Sequence, residues 1–164
     1  MASKSGKSLI FCLILLNFCM YVIVAAIAGW ALNKAIDHDY VVTGAGGSIP
    51  VGFSFEALNF PIGNEATGFL VIFALSAGVV GVASCLSGLH HLKVWTEGSL
   101  ASATSTALTA WAITLLAMGL SCKEIHLHGR SKRLIALESF TIILSGTKLL
   151  YIIFLHAGFL DGKE

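Results

Sequence analysis

The sequence predicts an all-α integral membrane protein, a bundle of four transmembrane helices, and three observations lead to this fold class. Hydrophobic residues make up 56% of the 164-residue chain and charged residues only 12%, whereas soluble domains carry about 25% charged residues. The mean hydropathy is +0.86. Four apolar segments are each long enough to cross a bilayer, which takes about 20 helical residues. We therefore treat residues 1–164 as one multi-pass membrane domain.

The first predicted span covers residues 9–32, "LIFCLILLNFCMYVIVAAIAGWAL". A cleaved signal peptide is the alternative, because Lys4 and Lys7 form a basic N-terminal flank and residues 26–28 form a small-residue pattern typical of a cleavage site. The apolar stretch before that pattern exceeds the usual apolar core of a signal peptide, which is roughly 7–15 residues. This length favours a retained helix.

The other three predicted spans cover residues 67–86, 100–121 and 134–159. An even number of spans places both termini on one side of the membrane, and loops 33–66 and 122–133 on the other. Lysine and arginine are nearly balanced between the two sides, so the excess of basic residues in cytoplasmic loops does not decide the orientation. The basic flank of the first span favours cytosolic termini.

The long loop 33–66 contains a strand signal. Residues 40–55, "YVVTGAGGSIPVGFSF", begin with β-branched residues, pass through the glycines of "GAGG" and continue with large apolar residues at every second position. Alternation with a period of two indicates a strand. We predict a small β-hairpin here, with a flexible glycine-rich loop as the alternative.

Motifs for catalysis and for metal or cofactor binding are missing from the sequence. It contains no CxxC or HExxH pattern, no phosphate-binding loop and no set of residues that pairs a nucleophile with a base. The net charge is +1, and no basic stripe with interleaved aromatic residues suggests nucleic acid. We therefore expect no enzymatic activity, no cofactor, no metal site and no nucleic-acid partner. We expect membrane lipids to surround most of the protein.

A lysine stands inside the fourth predicted span, in "IILSGTKLLYII". A charged residue at the centre of a span costs about 3 kcal/mol on insertion scales and commonly marks a functional site. Glu138, Thr141, Ser145 and Lys148 recur at spacings of three and four residues, so they share one helix face. We expect this face to point into the bundle, because lipid does not solvate it.

The state of Lys148 has three possible explanations. In the first, the amine is neutral, because burial disfavours its charged form. In the second, its long side chain reaches toward the membrane surface. In the third, the amine faces water and meets an anion such as a substrate carboxylate. Glu138 is too far along the helix to pair with it, at about 15 Å for ten residues. The third reading makes Lys148 a candidate substrate-binding residue.

Four further residues are candidates for the same substrate site. They are polar or aromatic side chains placed well inside predicted spans: Ser145, Trp111, Glu138 and Asn17. Tryptophan usually prefers the membrane interface, so Trp111 in mid-span is unusual. Packing within the bundle is the alternative role for each.

Small and hydroxyl residues occupy helical positions in the two middle spans. In the second span Ala74, Ala77, Gly78 and Gly81 have the spacing that lets helices approach closely. In the third span Ser102, Ser105, Thr106 and Thr109 have hydroxyls for hydrogen bonds between helices. We expect packing within the bundle from both sets, with the lining of a cavity as the alternative.

Several segments resemble the AWPM family, the abscisic-acid-induced plasma membrane polypeptides of plants. The resemblance is carried by "LNFCMYVIVAAIAGWALN" at 16–33, "GVASCLSGLHHLKVW" at 81–95, "AWAITLLAMGLSCKEIHL" at 110–127, and "LESFTIIL" with "LLYIIFLHAG" at 137–158. It covers all four predicted spans. It implies a multi-pass protein of the plant plasma membrane that responds to abscisic acid, drought, cold or seed maturation.

The resemblance also implies a function, since some members of the family import abscisic acid. We therefore expect facilitated uptake of abscisic acid or a similar weak acid, in a homo-oligomer or a larger membrane complex. The alternative is a non-transporting protein that stabilises membranes under stress, or an accessory subunit of such a complex. The layout of the loops is also similar to that of claudin-type proteins, although the paired cysteines of the claudin loop are missing here.

Overall fold

A computed structural model describes residues 4–43, 65–125 and 132–160, with side chains over 6–34, 67–125 and 132–157. This part of the chain is helical, and each helix includes a stretch long and apolar enough to cross a membrane. The helices are α1 (Lys4–Thr43), α2 (Glu65–Val94), α3 (Glu97–Glu124) and α4 (Lys132–Leu160). The predicted bundle of four spans is therefore confirmed, and each helix is longer than the segment predicted for it.

The helices form a closed ring. Helices α1 and α3 each pack against both α2 and α4, so α1 lies opposite α3 and α2 lies opposite α4. The core between them contains large side chains from several helices, among them Tyr21, Leu70, Leu137, Leu144 and Tyr151. The outward surface is apolar, as helices in contact with lipid require.

Helices α1 and α2 approach closely because α2 presents small residues to α1. Ala74 and Ala77 are buried. A Cβ atom added to Gly78 would lie 2.8 Å from the Cβ of Ala25, and one added to Gly81 would overlap the ring of Tyr21. The packing role predicted for these small residues is confirmed.

Helix α1 continues beyond the predicted end of the first span at residue 32. It has 40 residues, which corresponds to about 60 Å at 1.5 Å per residue. Residues 33–43 of the predicted loop are therefore helical. Extending an existing helix adds one hydrogen bond for each residue fixed, so a helix that has already formed can continue through residues of modest helix propensity.

The predicted β-hairpin over residues 40–55 is not supported. Residues 40–43 belong to helix α1, and the described residues contain no strand. The remainder of the predicted hairpin lies outside the described residues. Strand propensity depends strongly on packing context, so the β-branched residues of "YVVT" did not outweigh the helix that precedes them.

Only Trp95 and Thr96 separate α2 from α3, so the predicted connection over 87–99 is much shorter than expected. Trp95 has a φ of 50°, a left-handed conformation that commonly ends a helix. Thr96 is the N-cap of α3 and forms a capping box with Ser99. The ring of His91 stacks on Trp95 at 5.0 Å, and Nζ of Lys7 lies 4.1 Å from the Trp95 ring centre. These contacts fix the turn and tie it to α1.

The hydroxyl residues of α3 do not bridge helices as predicted. Ser102, Ser105 and Thr109 are exposed on the outer face, and Thr106 is half-buried. Thr106 and Thr109 donate to carbonyl oxygens of their own helix. The spacing placed these residues on one face, but did not reveal whether that face points inward.

Candidate functional site

Lys148 lies near the middle of α4 and is fully buried. Glu138 and Thr141 on the same helix face are also buried, and Ser145 is half-buried. The prediction that this polar face points into the bundle is confirmed. The alternative in which Lys148 extends to the membrane surface is wrong, because its side chain has no exposed area.

The described contacts of the Lys148 amine involve one hydroxyl and two aromatic rings. Its Nζ donates a hydrogen bond to Oγ of Ser84 on α2, at 2.8 Å. It also lies 4.7 Å from the ring centre of Tyr151 and 5.6 Å from that of Tyr21. Aromatic faces attract cations, more strongly where water is excluded. Within the described part of the chain, none of these contacts is with a carboxylate.

Two long side chains of α4 extend across the centre of the ring toward α2. Lys148 reaches Ser84, and the hydroxyl of Tyr151 lies against Gly88. Ser84 and Gly88 are four residues apart and therefore share a helix face. A Cβ at residue 88 would overlap the Tyr151 hydroxyl, so any larger residue there would displace the Tyr151 side chain. The Tyr151 hydroxyl is buried and has no hydrogen-bond partner among the described residues.

Tyr21 holds the other side of the lysine. Its hydroxyl and Oγ1 of Thr114 on α3 are 3.1 Å apart, and Thr114 also donates to the carbonyl of Ala110. We call Lys148, Ser84, Tyr21 and Tyr151 the lysine site. These residues come from α1, α2 and α4, and α3 supports the site through the hydrogen bond between Thr114 and Tyr21.

Three of the predicted site residues anchor the turn of α4 that precedes Lys148. Oγ1 of Thr147 donates to Oδ1 of Asn17 at 2.7 Å, and Nε1 of Trp111 donates to the carbonyl oxygen of Ser145 at 3.0 Å. Asn17 comes from α1 and Trp111 from α3, so α4 is held from two sides. The hydroxyl of Ser145 donates to the carbonyl of Ile142. None of these hydrogen bonds involves the Lys148 amine.

The fifth predicted residue, Glu138, lies in a separate cluster near the second loop. Its neighbour Thr141 is hydrogen-bonded to Ser121 of α3, with 2.8 Å between the two hydroxyl oxygens. Thr67 of α2 donates to Oε2 of Glu124 in the same region, at 3.0 Å. Ten residues separate Glu138 from Lys148, about 15 Å along the helix, so the structure does not bring these two together.

Sequence reasoning missed Ser84, Tyr21 and Tyr151. Tyrosine, like tryptophan, usually lies at the membrane interface, and both tyrosines stand in mid-span. The argument that singled out Trp111 could therefore have found them. Ser84 gave no comparable signal, because serine is common in transmembrane helices.

The lysine site has the chemistry of an anion-binding site. A lysine ammonium has three N–H donors, and one hydrogen bond of Lys148, to Ser84, is found among the described residues. The Tyr151 hydroxyl is a further donor close by. Charges attract more strongly in a poorly solvated interior than in water, so a carboxylate there would gain from both groups.

Comparisons with known proteins identify a protein family that this chain resembles. The model of the AWPM-19-like family matches residues 15–158. A rice protein (Oryza sativa subsp. japonica) described as membrane protein PM19L is 44% identical over 160 residues, which cover 97% of this chain and 83% of the rice protein. Neither description names an enzyme. No solved protein structure matches this chain.

Proposed function

The chain belongs to the AWPM-19-like family of plant membrane proteins, and on this basis we propose that it facilitates uptake of abscisic acid or a similar weak acid across the plasma membrane. The uptake would serve responses to drought, cold or seed maturation. The observation that carries the proposal is the lysine site, in which a buried amine has no carboxylate among its described contacts.

The chemistry of the ligand matches this site. A weak acid such as abscisic acid has one carboxylate on an apolar body, and apolar sites with a few placed polar groups are typical for such ligands. Lys148 would neutralise the carboxylate, and the Tyr151 hydroxyl would donate a hydrogen bond to it. Tyr21 would form part of the apolar wall.

Access to the lysine site requires the helices to move, since Lys148 has no exposed area. Carriers of this kind open a central site alternately to each side of the membrane. Asn17 and Trp111 would act as positioning residues, because their hydrogen bonds fix the turn of α4 that carries Lys148. A homo-oligomer is compatible with so small a bundle.

Uptake of radiolabelled abscisic acid by liposomes that contain the purified protein tests the proposal. Lys148→Met keeps the length of the side chain and removes the charge. We expect at least a tenfold loss of uptake, because the variant lacks the charge that would neutralise the carboxylate. The fold should stay intact, since replacing a buried charge with an apolar side chain is commonly neutral or stabilising. Lys123→Met is the matched control, since Lys123 is exposed at the end of α3, and we expect it to keep full uptake.

The outcome separates the site from the function. Uptake at the parental rate by Lys148→Met would exclude the lysine site while leaving transport possible elsewhere in the bundle. No uptake by the parental protein in liposomes would contradict the transport proposal itself.

A second candidate function is a non-transporting role, as a membrane-stabilising protein or an accessory subunit of a larger complex. The outer face of α3 favours it, because Ser102, Ser105 and Thr109 are exposed there in an otherwise apolar surface. Small polar residues of this kind permit close approach of another helix. Replacing Ser105 with leucine would then weaken co-purification with other membrane proteins, whereas a transporter acting alone would keep its uptake.

A further inference from the structure

A group of exposed side chains lies at the second-loop end of the bundle, where α1 packs beside α4. Cζ of Arg133 lies 3.8 Å from the ring centre of Trp30, and Nζ of Lys34 lies 5.4 Å from a ring centre of the same side chain. All three side chains are exposed. We call Trp30, Lys34 and Arg133 the tryptophan patch. It shares no residue with the lysine site.

The order of the helices explains why these residues meet. Trp30 and Lys34 are four residues apart on α1 and therefore share a helix face. Arg133 is the second residue of α4, which packs against α1 and runs in the opposite direction. The end of the first span thus lies beside the start of the fourth. Tryptophan prefers the interface between hydrocarbon and water, so Trp30 places the patch at the depth of the lipid headgroups.

The charge of this surface is positive. The described charged side chains that are exposed at this end of the bundle are all basic, namely Lys34, Lys123, Lys132 and Arg133. The acidic side chains described at the same end, Glu124 and Glu138, are buried. Within the described part of the chain, Lys34 and Arg133 contact the ring of Trp30 and form no ion pair. Two cations are therefore held together at one aromatic side chain without an acidic neighbour.

The start of α4 is an unfavourable place for basic side chains. The N-terminal end of a helix carries partial positive charge, which repels cations and attracts anions. Lys132 and Arg133 nevertheless occupy the first turn of α4, and that turn contains no acidic residue. An anion bound beside Arg133 would be attracted by the helix end as well as by the side chains. It would also reduce the repulsion between Arg133 and Lys34.

We propose that the tryptophan patch binds the phosphate of an anionic phospholipid headgroup. A guanidinium stacked face-on against a ring keeps its N–H donors at its edge, where they can bond to phosphate oxygens in pairs. Lys34 adds a second positive charge on the other helix. Basic residues at the ends of membrane helices are typical of sites for anionic headgroups. The proposal does not depend on weak-acid uptake.

The surface next to the patch suits a lipid rather than a free anion. Ile23 precedes Trp30 by seven residues, or about two helical turns, so it lies on the same face of α1 and deeper in the membrane. Its side chain is exposed. An acyl chain could lie along this apolar strip while the phosphate stays at the patch. A free phosphate ion would gain nothing from the apolar part of the surface.

A clasp between α1 and α4 is the alternative role of the Arg133–Trp30 contact. A clasp would stabilise the bundle by the same amount whichever lipid is present. A headgroup site would stabilise it further when the anionic lipid is added, because a ligand that binds only the folded protein raises its melting temperature. The response to lipid therefore distinguishes the two roles.

Lipid binding by the purified full-length protein in detergent tests the proposal. The probes are phosphatidylglycerol, which is anionic, and phosphatidylcholine, which is neutral overall. Native mass spectrometry gives the affinity for each lipid, and thermal unfolding gives the stabilisation. We expect the parental protein to bind phosphatidylglycerol more tightly and to melt at a higher temperature with it. Arg133→Gln should weaken this binding about fivefold, the contribution of one basic side chain near an anionic lipid surface.

Three further variants separate a site from general attraction to a positive surface. Lys123→Gln is the matched control, because Lys123 is exposed at the same end but belongs to α3, which lies opposite α1. It should keep the parental affinity. Trp30→Leu keeps both charges and removes the ring, and we expect weaker binding of phosphatidylglycerol. Arg133→Lys keeps the charge and loses the planar set of donors, so its affinity should fall between those of the parent and Arg133→Gln.

Four results would overturn the proposal. The first is equal affinity of the parental protein for the two lipids. The second is an equal loss of phosphatidylglycerol binding in Arg133→Gln and Lys123→Gln, which would indicate diffuse attraction. The third is parental affinity in both Trp30→Leu and Arg133→Lys. The fourth is a melting temperature that Arg133→Gln lowers equally with either lipid while the affinity for phosphatidylglycerol is unchanged, as a clasp alone requires.

Discussion

At the scale of single residues, the main question is how the bundle tolerates Lys148. Its amine is removed from water, which is costly for a charged group. Ser84 offers a hydrogen-bond acceptor and the rings of Tyr21 and Tyr151 offer negative faces. These contacts offset part of the cost, and none of the described contacts of the amine is with a carboxylate.

Replacing Ser84 with alanine tests this account. Ser84→Ala removes the hydrogen-bond acceptor of the buried amine, so we expect the free energy of unfolding to fall by about 1–3 kcal/mol. The measurement is thermal or denaturant unfolding in detergent. In the Lys148→Met background the same change should cost much less, because the amine that needed an acceptor is gone.

Ser76→Ala is the matched control, since Ser76 is exposed on the same helix and donates only to the carbonyl of Ile72. Its effect should stay within about 0.5 kcal/mol. Equal losses for Ser84→Ala in both backgrounds would mean that Ser84 does not act through the lysine.

At the scale of helices, close packing of α1 against α2 positions the lysine site. Tyr21 of α1 lies against Gly81 of α2, and Ser84 follows one turn later on the same helix. Any increase in the distance between these helices would move Tyr21 away from the amine. The small residues of α2 therefore serve the site as well as the fold.

Gly78→Ala should destabilise the bundle. The new Cβ would lie 2.8 Å from Cβ and 3.0 Å from Cα of Ala25, and backbone atoms cannot turn aside as a flexible side chain can. Overpacking of this kind costs about 1–3 kcal/mol. We expect a lower melting temperature in detergent, together with weaker binding of any ligand at the lysine site.

Gly146→Ala is the control, and it should have the opposite sign. Gly146 lies in α4 with no atom within 4 Å of an added Cβ. Alanine has the higher helix propensity, by about 1 kcal/mol, so this variant should be as stable as the parent or more stable. If both variants lower the melting temperature alike, close contact with Ala25 is not the cause.

At the scale of the whole molecule, four spans place the two termini and the short α2–α3 turn on one side of the membrane. The buried side chains of Glu124 and Glu138 lie at the opposite end. The lysine site lies between them and is formed by residues of α1, α2 and α4. This arrangement separates Lys148 from Glu138 by about 15 Å along α4, which is about half the thickness of the hydrocarbon core.

Labelling of single cysteines tests the orientation of the bundle. In a background in which serine replaces the native cysteines, Gly46→Cys should react with a membrane-impermeant reagent in intact cells, because we expect the long first loop to lie outside. Glu97→Cys, beside the α2–α3 turn, should react only after permeabilisation. The reverse pattern would place the termini outside.

The sequence by itself determined the four spans and the inward direction of the Glu138–Lys148 face. Both follow from local physics, since transfer to lipid depends on composition and a shared face depends on helical spacing. It also determined that Gly78 and Gly81 form a packing surface. It did not determine the length of α1 or the outward direction of Ser102, Ser105 and Thr109, because these depend on what each helix packs against.

Only the tertiary structure decided which groups surround the amine. Ser84, Tyr21 and Tyr151 are remote in sequence from Lys148 or differ little from ordinary packing residues, and they meet it because the ring of helices brings α1, α2 and α4 together. The same holds for Ser121 and Thr141, whose hydroxyls meet where α3 packs against α4. Contacts between helices depend on distances that the periodicity of a single helix does not contain.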